Sequence, residues 1–139
     1  MSAKFWIILG AGLLVETALI FILTVRLKIK KDRPLKFRKK WTELQKFCAS
    51  RETWPLAVIA ADKLLDEALK KRRLKGKSMG ERMVSAQRDF SDNDTLWFAH
   101  NMAKKVAAES IKRLRESDVK KSLVGIRQGL RDLGVLNDK

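Results

Sequence analysis

Apolar residues fill the first part of the chain almost without interruption and then recur every three or four positions, two patterns that predict two kinds of helix. Residues 5–25, FWIILGAGLLVETALIFILTV, carry one charge, Glu16. About twenty predominantly apolar residues suffice for a helix to cross a hydrocarbon core of roughly 30 Å, so this stretch reads as one transmembrane helix. Beyond it the period becomes amphipathic. Phe37, Trp41, Leu44 and Cys48 share a face over 36–49, and Trp54, Ala57, Val58, Ala61, Leu64, Leu65 and Ala68 form a broad stripe over 53–74. Pro34 separates the first of these helices from the span, and Pro55 is tolerated in the opening turn of the second. Ser78 followed by Glu81 is a capping-box pattern that starts a short helix ending near Arg88. The polar cluster at 91–94 caps a fourth helix over 95–115, with Leu96, Ala99, Met102, Ala103, Val106 and Leu114 along one side. Ser117 caps the last, whose Val119, Leu123, Ile126, Leu130 and Leu133 keep a seam-like spacing until Gly134. No strand period intervenes. The fold class is therefore all-α, a single N-terminal transmembrane helix followed by a four- to five-helix antiparallel bundle, with Trp41, Trp54 and Trp97 as core aromatics.

Charge suggests an orientation for these pieces. The chain has 31 Lys plus Arg against 16 Asp plus Glu, a net charge of +15. Residues 26–40 hold nine basic side chains and only Asp32, so +8 sits in one short segment beside the span, while Lys4 and Glu16 cancel before it. Flanking Lys and Arg stay on the cytoplasmic side, which puts the N-terminus outside and the bundle inside a plasma (inner) membrane. Positive charge after the apolar run, rather than before it, argues against a cleaved signal sequence. Three segments follow: an anchor with its basic flank (1–30), a polybasic juxtamembrane segment (31–40) and a cytoplasmic bundle (41–139). Membrane lipid is the first partner expected. Arg26, Lys28, Lys30, Lys31, Arg33, Lys36, Arg38, Lys39 and Lys40 are the candidate contacts to anionic head groups, each worth about 1 kcal/mol near a negative leaflet. Glu16 near mid-span costs roughly 2.5–3.5 kcal/mol on insertion scales. With Gly12 one turn earlier on the same face, it is the candidate contact to another membrane helix.

Enzymatic chemistry is not expected. One cysteine, Cys48, excludes an intrachain disulfide, and with a single histidine, His100, neither a metal centre nor a bound cofactor is anticipated. Asp62 and Asp66 lie one turn apart like paired carboxylates, but Lys63 and Lys70 are near enough for ordinary helix-surface ion pairs. The run GKSMGE at 76–81 lacks the earlier glycine and the preceding strand of a phosphate-binding loop.

The runs AVIAADKLLDEALKKRRLKGKSMGERM and LWFAHNMAKKVAAES resemble small bacterial helical proteins of the HEPN (higher eukaryotes and prokaryotes nucleotide-binding) superfamily, over roughly residues 41–136. The family's motif has the form A-H-K-x-R-N-x-x-A-H-E, whose Arg and His cut RNA, commonly at a dimer interface. Laid on 99–109, it places Ala103 at the arginine, Ala108 at the histidine and Lys104 at the asparagine, with His100 outside the catalytic pair. A methyl group cannot transfer a proton. The resemblance therefore implies a catalytically inactive relative that keeps the bundle and its pairing. The function expected is a membrane-tethered interaction or scaffold module, acting as a homodimer or on another protein. The alternative is a membrane-anchored RNA- or nucleic-acid-binding domain, suggested by the basic runs at 70–75 and 112–115.

Overall fold

The computed structural model describes residues 2–111 and 113–137, and for 29–33 the backbone alone. Every regular element among the described residues is helical, as the periodicity predicts: α1 (Ala3–Gln45), α2 (Trp54–Lys71), α3 (Met79–Ser85), α4 (Asn93–Ala107) and α5 (Glu116–Asp132), with 3-10 turns at Lys46–Ala49 and Arg51–Thr53. The chain forms two units, Met1–Arg33 and Pro34–Lys139.

Pro34 lies inside α1 instead of ending it, which corrects the expected break. A proline removes one donor and crowds the carbonyl four residues back, a local defect that a helix can carry. The boundary between the two units nevertheless falls at this proline. The second unit thus takes in residues 34–40, assigned above to a juxtamembrane segment, because Phe37 is 1% exposed and belongs to the same core as Trp41 and Leu44.

In the first unit, Ala3–Lys28 is long and apolar enough to cross a membrane, its most apolar 18-residue stretch has a mean hydropathy of 2.3, and its described side chains are exposed. Its hydroxyls are satisfied within the helix, Thr17 Oγ1 donating to Leu14 O at 3.0 Å and Thr24 Oγ1 to Phe21 O at 2.8 Å. Both threonines can therefore sit here without water.

The second unit is a helical bundle with α2 packed against α3, α4 and α5. Its core joins Ala61, Leu65, Ala68 and Leu69 of α2 to Leu96 and Ala99 of α4 and to Ile126 and Leu130 of α5. Trp41 is buried, whereas Trp54 and Trp97 are only half-buried. α5 lies close on α4 at Gly125, where a Cβ would be 2.6 Å from Thr95 Cγ2 and 3.1 Å from Thr95 O. Only a residue without a side chain lets α5 lie on α4 at this point.

Two starts follow the sequence. Ser78 Oγ accepts from Glu81 N at 3.2 Å, while the Glu81 carboxylate accepts from Lys77 N at 2.7 Å, one residue before its place in a standard capping box. Asp92 accepts from Thr95 N at 3.0 Å and caps α4. For α5, Ser117 lies within the first turn and Arg115 is the cap residue. Helix ends depart further. α4 stops at Ala107, short of residue 115, because Glu109 takes φ 54° and lets Ser110 N donate back to Lys105 O at 3.0 Å. α2 closes in the same way, with Arg73 at φ 56° and Leu74 N donating to Leu69 O at 3.3 Å. In α5 the corresponding residue is Gly134 at φ 71°, with Val135 N donating to Leu130 O at 3.1 Å. All three are Schellman closures, but only the one built on glycine announces itself in sequence.

Candidate functional site

α2 places carboxylates beside its apolar stripe, and α3 brings an arginine and α4 a histidine onto them. Asp66 Oδ1 accepts from Arg82 Nε at 2.9 Å and from Arg82 Nη2 at 2.6 Å, while Lys70 Nζ lies 2.8 Å from Asp66 Oδ2. The third nitrogen of Arg82 donates to Gly76 O at 3.0 Å, so the guanidinium also holds the loop between α2 and α3. Its side chain is 9% exposed. Burial alone pushes the Asp66 carboxyl up, but hydrogen bonds and positive charge from Lys70 and Arg82 outweigh it and hold the group below the usual carboxylate range.

One turn back, Asp62 faces His100 of α4, whose Nδ1 lies 3.0 Å from Oδ1 and 3.2 Å from Oδ2. The His100 ring meets Trp97 edge to face, with centroids 5.9 Å apart. Asp62, Asp66, Lys63, Lys70, Met79 and His100 are in the wall of an open cavity of about 420 Å³. The ion pairs expected of Lys63 and Lys70 are thus half corrected: Lys70 pairs with Asp66, but the partner of Asp62 is His100, not Lys63. His100 is buried, with its orientation held by the carboxylate. A carboxylate only accepts, so Nδ1 carries the proton when the ring is neutral and Nε2 carries the lone pair. As His100 is the sole histidine, ¹⁵N shifts of the full-length chain above its titration report this directly; the Nδ1–H tautomer is expected, with loss of that preference in Asp62→Asn. A predominant Nε2–H form in the unaltered chain refutes the assignment.

The residues expected to contact the membrane or another helix stand as follows. Glu16 and Gly12 line one shallow hollow with Phe5, Ile8, Leu9 and Leu13, so the spacing does put them on one face. Arg26, Lys28, Lys36, Arg38 and Lys39 are exposed. Lys40 is half-buried and pairs with Glu67 at 2.6 Å, tying α1 to α2; this cation holds the Glu67 carboxyl below its ordinary range. The side chains of Lys30, Lys31 and Arg33 lie outside the described residues. Of the positions aligned with the catalytic motif, Ala103 is buried with Val58, Met102 and Val119, and Ala108 is exposed at the C-cap of α4.

A second hollow, about 500 Å³, opens where α1 and the following 3-10 turn meet α2. Leu44, Phe47, Ala60 and Leu64 form its apolar floor, and Glu43 and Lys46 are at its rim. Among the described residues no three His, Cys, Asp or Glu side chains converge as a metal set.

Fold and site define an all-helical bundle that follows an apolar helix of membrane-spanning length and is clamped by a part-buried cluster of Asp62, Asp66, Arg82 and His100. No protein-family model matches the chain, and neither a curated protein nor a solved structure shows significant similarity to it.

Proposed function

We propose that the chain is a membrane-tethered contact module, in which α1 anchors a catalytically inactive, HEPN-like bundle at the cytoplasmic face of the plasma membrane and pairs it with a second copy. The carrying observation is the apolar stretch Ala3–Lys28, which no other part of the described chain covers. Such a surface is stable only against lipid or another apolar helix. The excess of Lys and Arg after the span supports the orientation, with Arg26, Lys28, Lys36, Arg38 and Lys39 exposed toward anionic head groups. Ala103 and Ala108, where a nuclease of this kind needs arginine and histidine, support the inactive reading.

The second copy is argued from the face carrying Glu16 and Gly12. A carboxyl facing hydrocarbon is costly, and two-fold pairing sets two such groups opposite each other, where the protonated forms hydrogen-bond. A Cβ built on Gly12 meets nothing within 4 Å, so a second backbone can approach closely here. Tethering raises the effective concentration of the paired bundles without any new contact. In a membrane two-hybrid assay of the full-length chain against itself, Glu16→Leu is expected to lower the signal several-fold, and Gly12→Leu likewise. Unchanged self-association in both variants defeats the pairing.

A further inference from the structure

We infer that the hollow between the end of α1 and α2 is where the bundles of two paired copies touch, each hollow receiving the other copy's Phe47 ring. The inference rests on the pairing proposed above and names a contact that the bundles add to it. The hollow, about 500 Å³, joins an apolar floor to a few polar groups at its edge, the character that recognition sites share. Leu44 and Leu64 in the floor are buried, but Phe47 beside them is 38% exposed. Ala60 is half-buried and small, which leaves the floor open. One turn before it on the same face of α2, Leu56 is 51% exposed. A ring, a shallow floor and a leucine thus lie together on one surface. Apolar groups gathered in this way mark a contact, and a two-fold arrangement lets each copy supply both ring and floor.

Charge at the rim selects the occupant. Lys40 and Glu67, both in the wall, already pair at 2.6 Å. Glu43, Lys46 and Lys63 are exposed and make no ion pair or side-chain hydrogen bond with the described residues. Both signs are therefore free on one patch. An anionic lipid or acidic segment laid here sets like charge against Glu43, and a basic segment sets it against the two lysines. A second copy brings both signs at once, and two-fold symmetry makes every carboxylate–ammonium contact twice. The patch is small, but copies tethered by α1 need only a weak contact, because tethering raises their effective concentration.

The test reconstitutes full-length ¹⁴N and ¹⁵N chains together in nanodiscs wide enough for two copies. A carbodiimide then joins carboxylates to amines that lie in contact. Glu43 and Lys46 are close enough in sequence to link within one copy, so only peptide pairs of mixed isotope report a contact between copies. Mixed pairs joining Glu43 to Lys46 or Lys63 are expected. Phe47→Ser should lower their yield about tenfold, the effect of losing an aromatic anchor at the centre of a contact. Leu56→Ser, at an exposed position that the fold does not need, should lower it in the same direction, whereas Val124→Ser, 66% exposed on α5, should leave it unchanged. Mixed pairs whose yield neither Phe47→Ser nor Leu56→Ser lowers overturn the contact. Self-association in the two-hybrid assay without mixed pairs at Glu43 leaves the hollow to lipid or to a different protein, and overturns this contact alone. Loss of both signals overturns the pairing as well.

Discussion

Replacing Phe37 with alanine is expected to cost the bundle about 3–5 kcal/mol, the range for truncating a buried aromatic side chain. Phe37 stands in the most basic stretch of the sequence, yet it is 1% exposed and packs in the main core with Trp41 and Leu44. Lys71 Nζ lies 4.9 Å from its ring centroid, so a cation is also seated on its face. For a domain near this size each kcal/mol shifts the midpoint by roughly 4 °C or more, which puts the expected fall in Tm above about 12 °C. The measurement is thermal melting of the full-length chain in detergent, followed by near-ultraviolet dichroism of the tryptophans rather than by helix content. Leu35, two residues earlier, is 61% exposed, and its replacement by alanine should stay within about 0.5 kcal/mol. Equal losses from the two variants show that residues 34–40 are not part of the bundle core.

Arg82→Met is the second large effect, about 1–3 kcal/mol, because it removes a buried guanidinium whose hydrogen bonds tie Asp66 and Gly76 O together. Asp66 keeps Lys70 as a partner, but Gly76 O loses its donor and the α2–α3 loop loses its tie. Asp66→Leu should cost about 3–5 kcal/mol, since the Arg82 guanidinium, 9% exposed, is then left without its counter-charge. Combining the two substitutions should cost less than the sum of the single losses, because an apolar pair of similar volume needs no counter-charge, although Gly76 O still lacks its donor. Denaturant unfolding of the full-length chain measures the cycle. Costs that simply add show that the two side chains do not act as a pair. The same site predicts sensitivity to acid. The folded pKa of Asp66 is depressed, so its contribution is complete above the unfolded carboxylate value of about 4 and is lost as pH falls through the lower folded value. Arg82→Met should shrink that part of the acid limb.

These expectations show why some features are legible in a bare sequence and others are not. An apolar run of membrane-spanning length, the stripes on α2, α4 and α5, and the caps at Ser78 and Asp92 are visible because each depends on residues within a few positions of one another. The end of α4 is equally local but carries no signal: Glu109 at φ 54° does the work that glycine usually does, and a glutamate does not mark a left-handed residue. Phe37 is legible from its spacing to Trp41 and Leu44, but the basic residues around it mark 31–40 as a juxtamembrane segment, and only the packing assigns 34–40 to the bundle.

Of the polar cluster only the Asp66–Lys70 pair is local enough to read from spacing. Asp62 pairs with a residue 38 positions away and Asp66 with one 16 positions away, and nothing in the local pattern distinguishes these partners from Lys63 or Lys70. Arg38 and Trp41 share the wall of one hollow with Arg127, which is far away in sequence. Residue order alone settles helix type, the apolar span and the faces that must be covered, since those follow from period and hydropathy. Which carboxylate meets Arg82 and which meets His100 is decided by the packing of helices distant in sequence, where distance and burial rather than spacing set the energy.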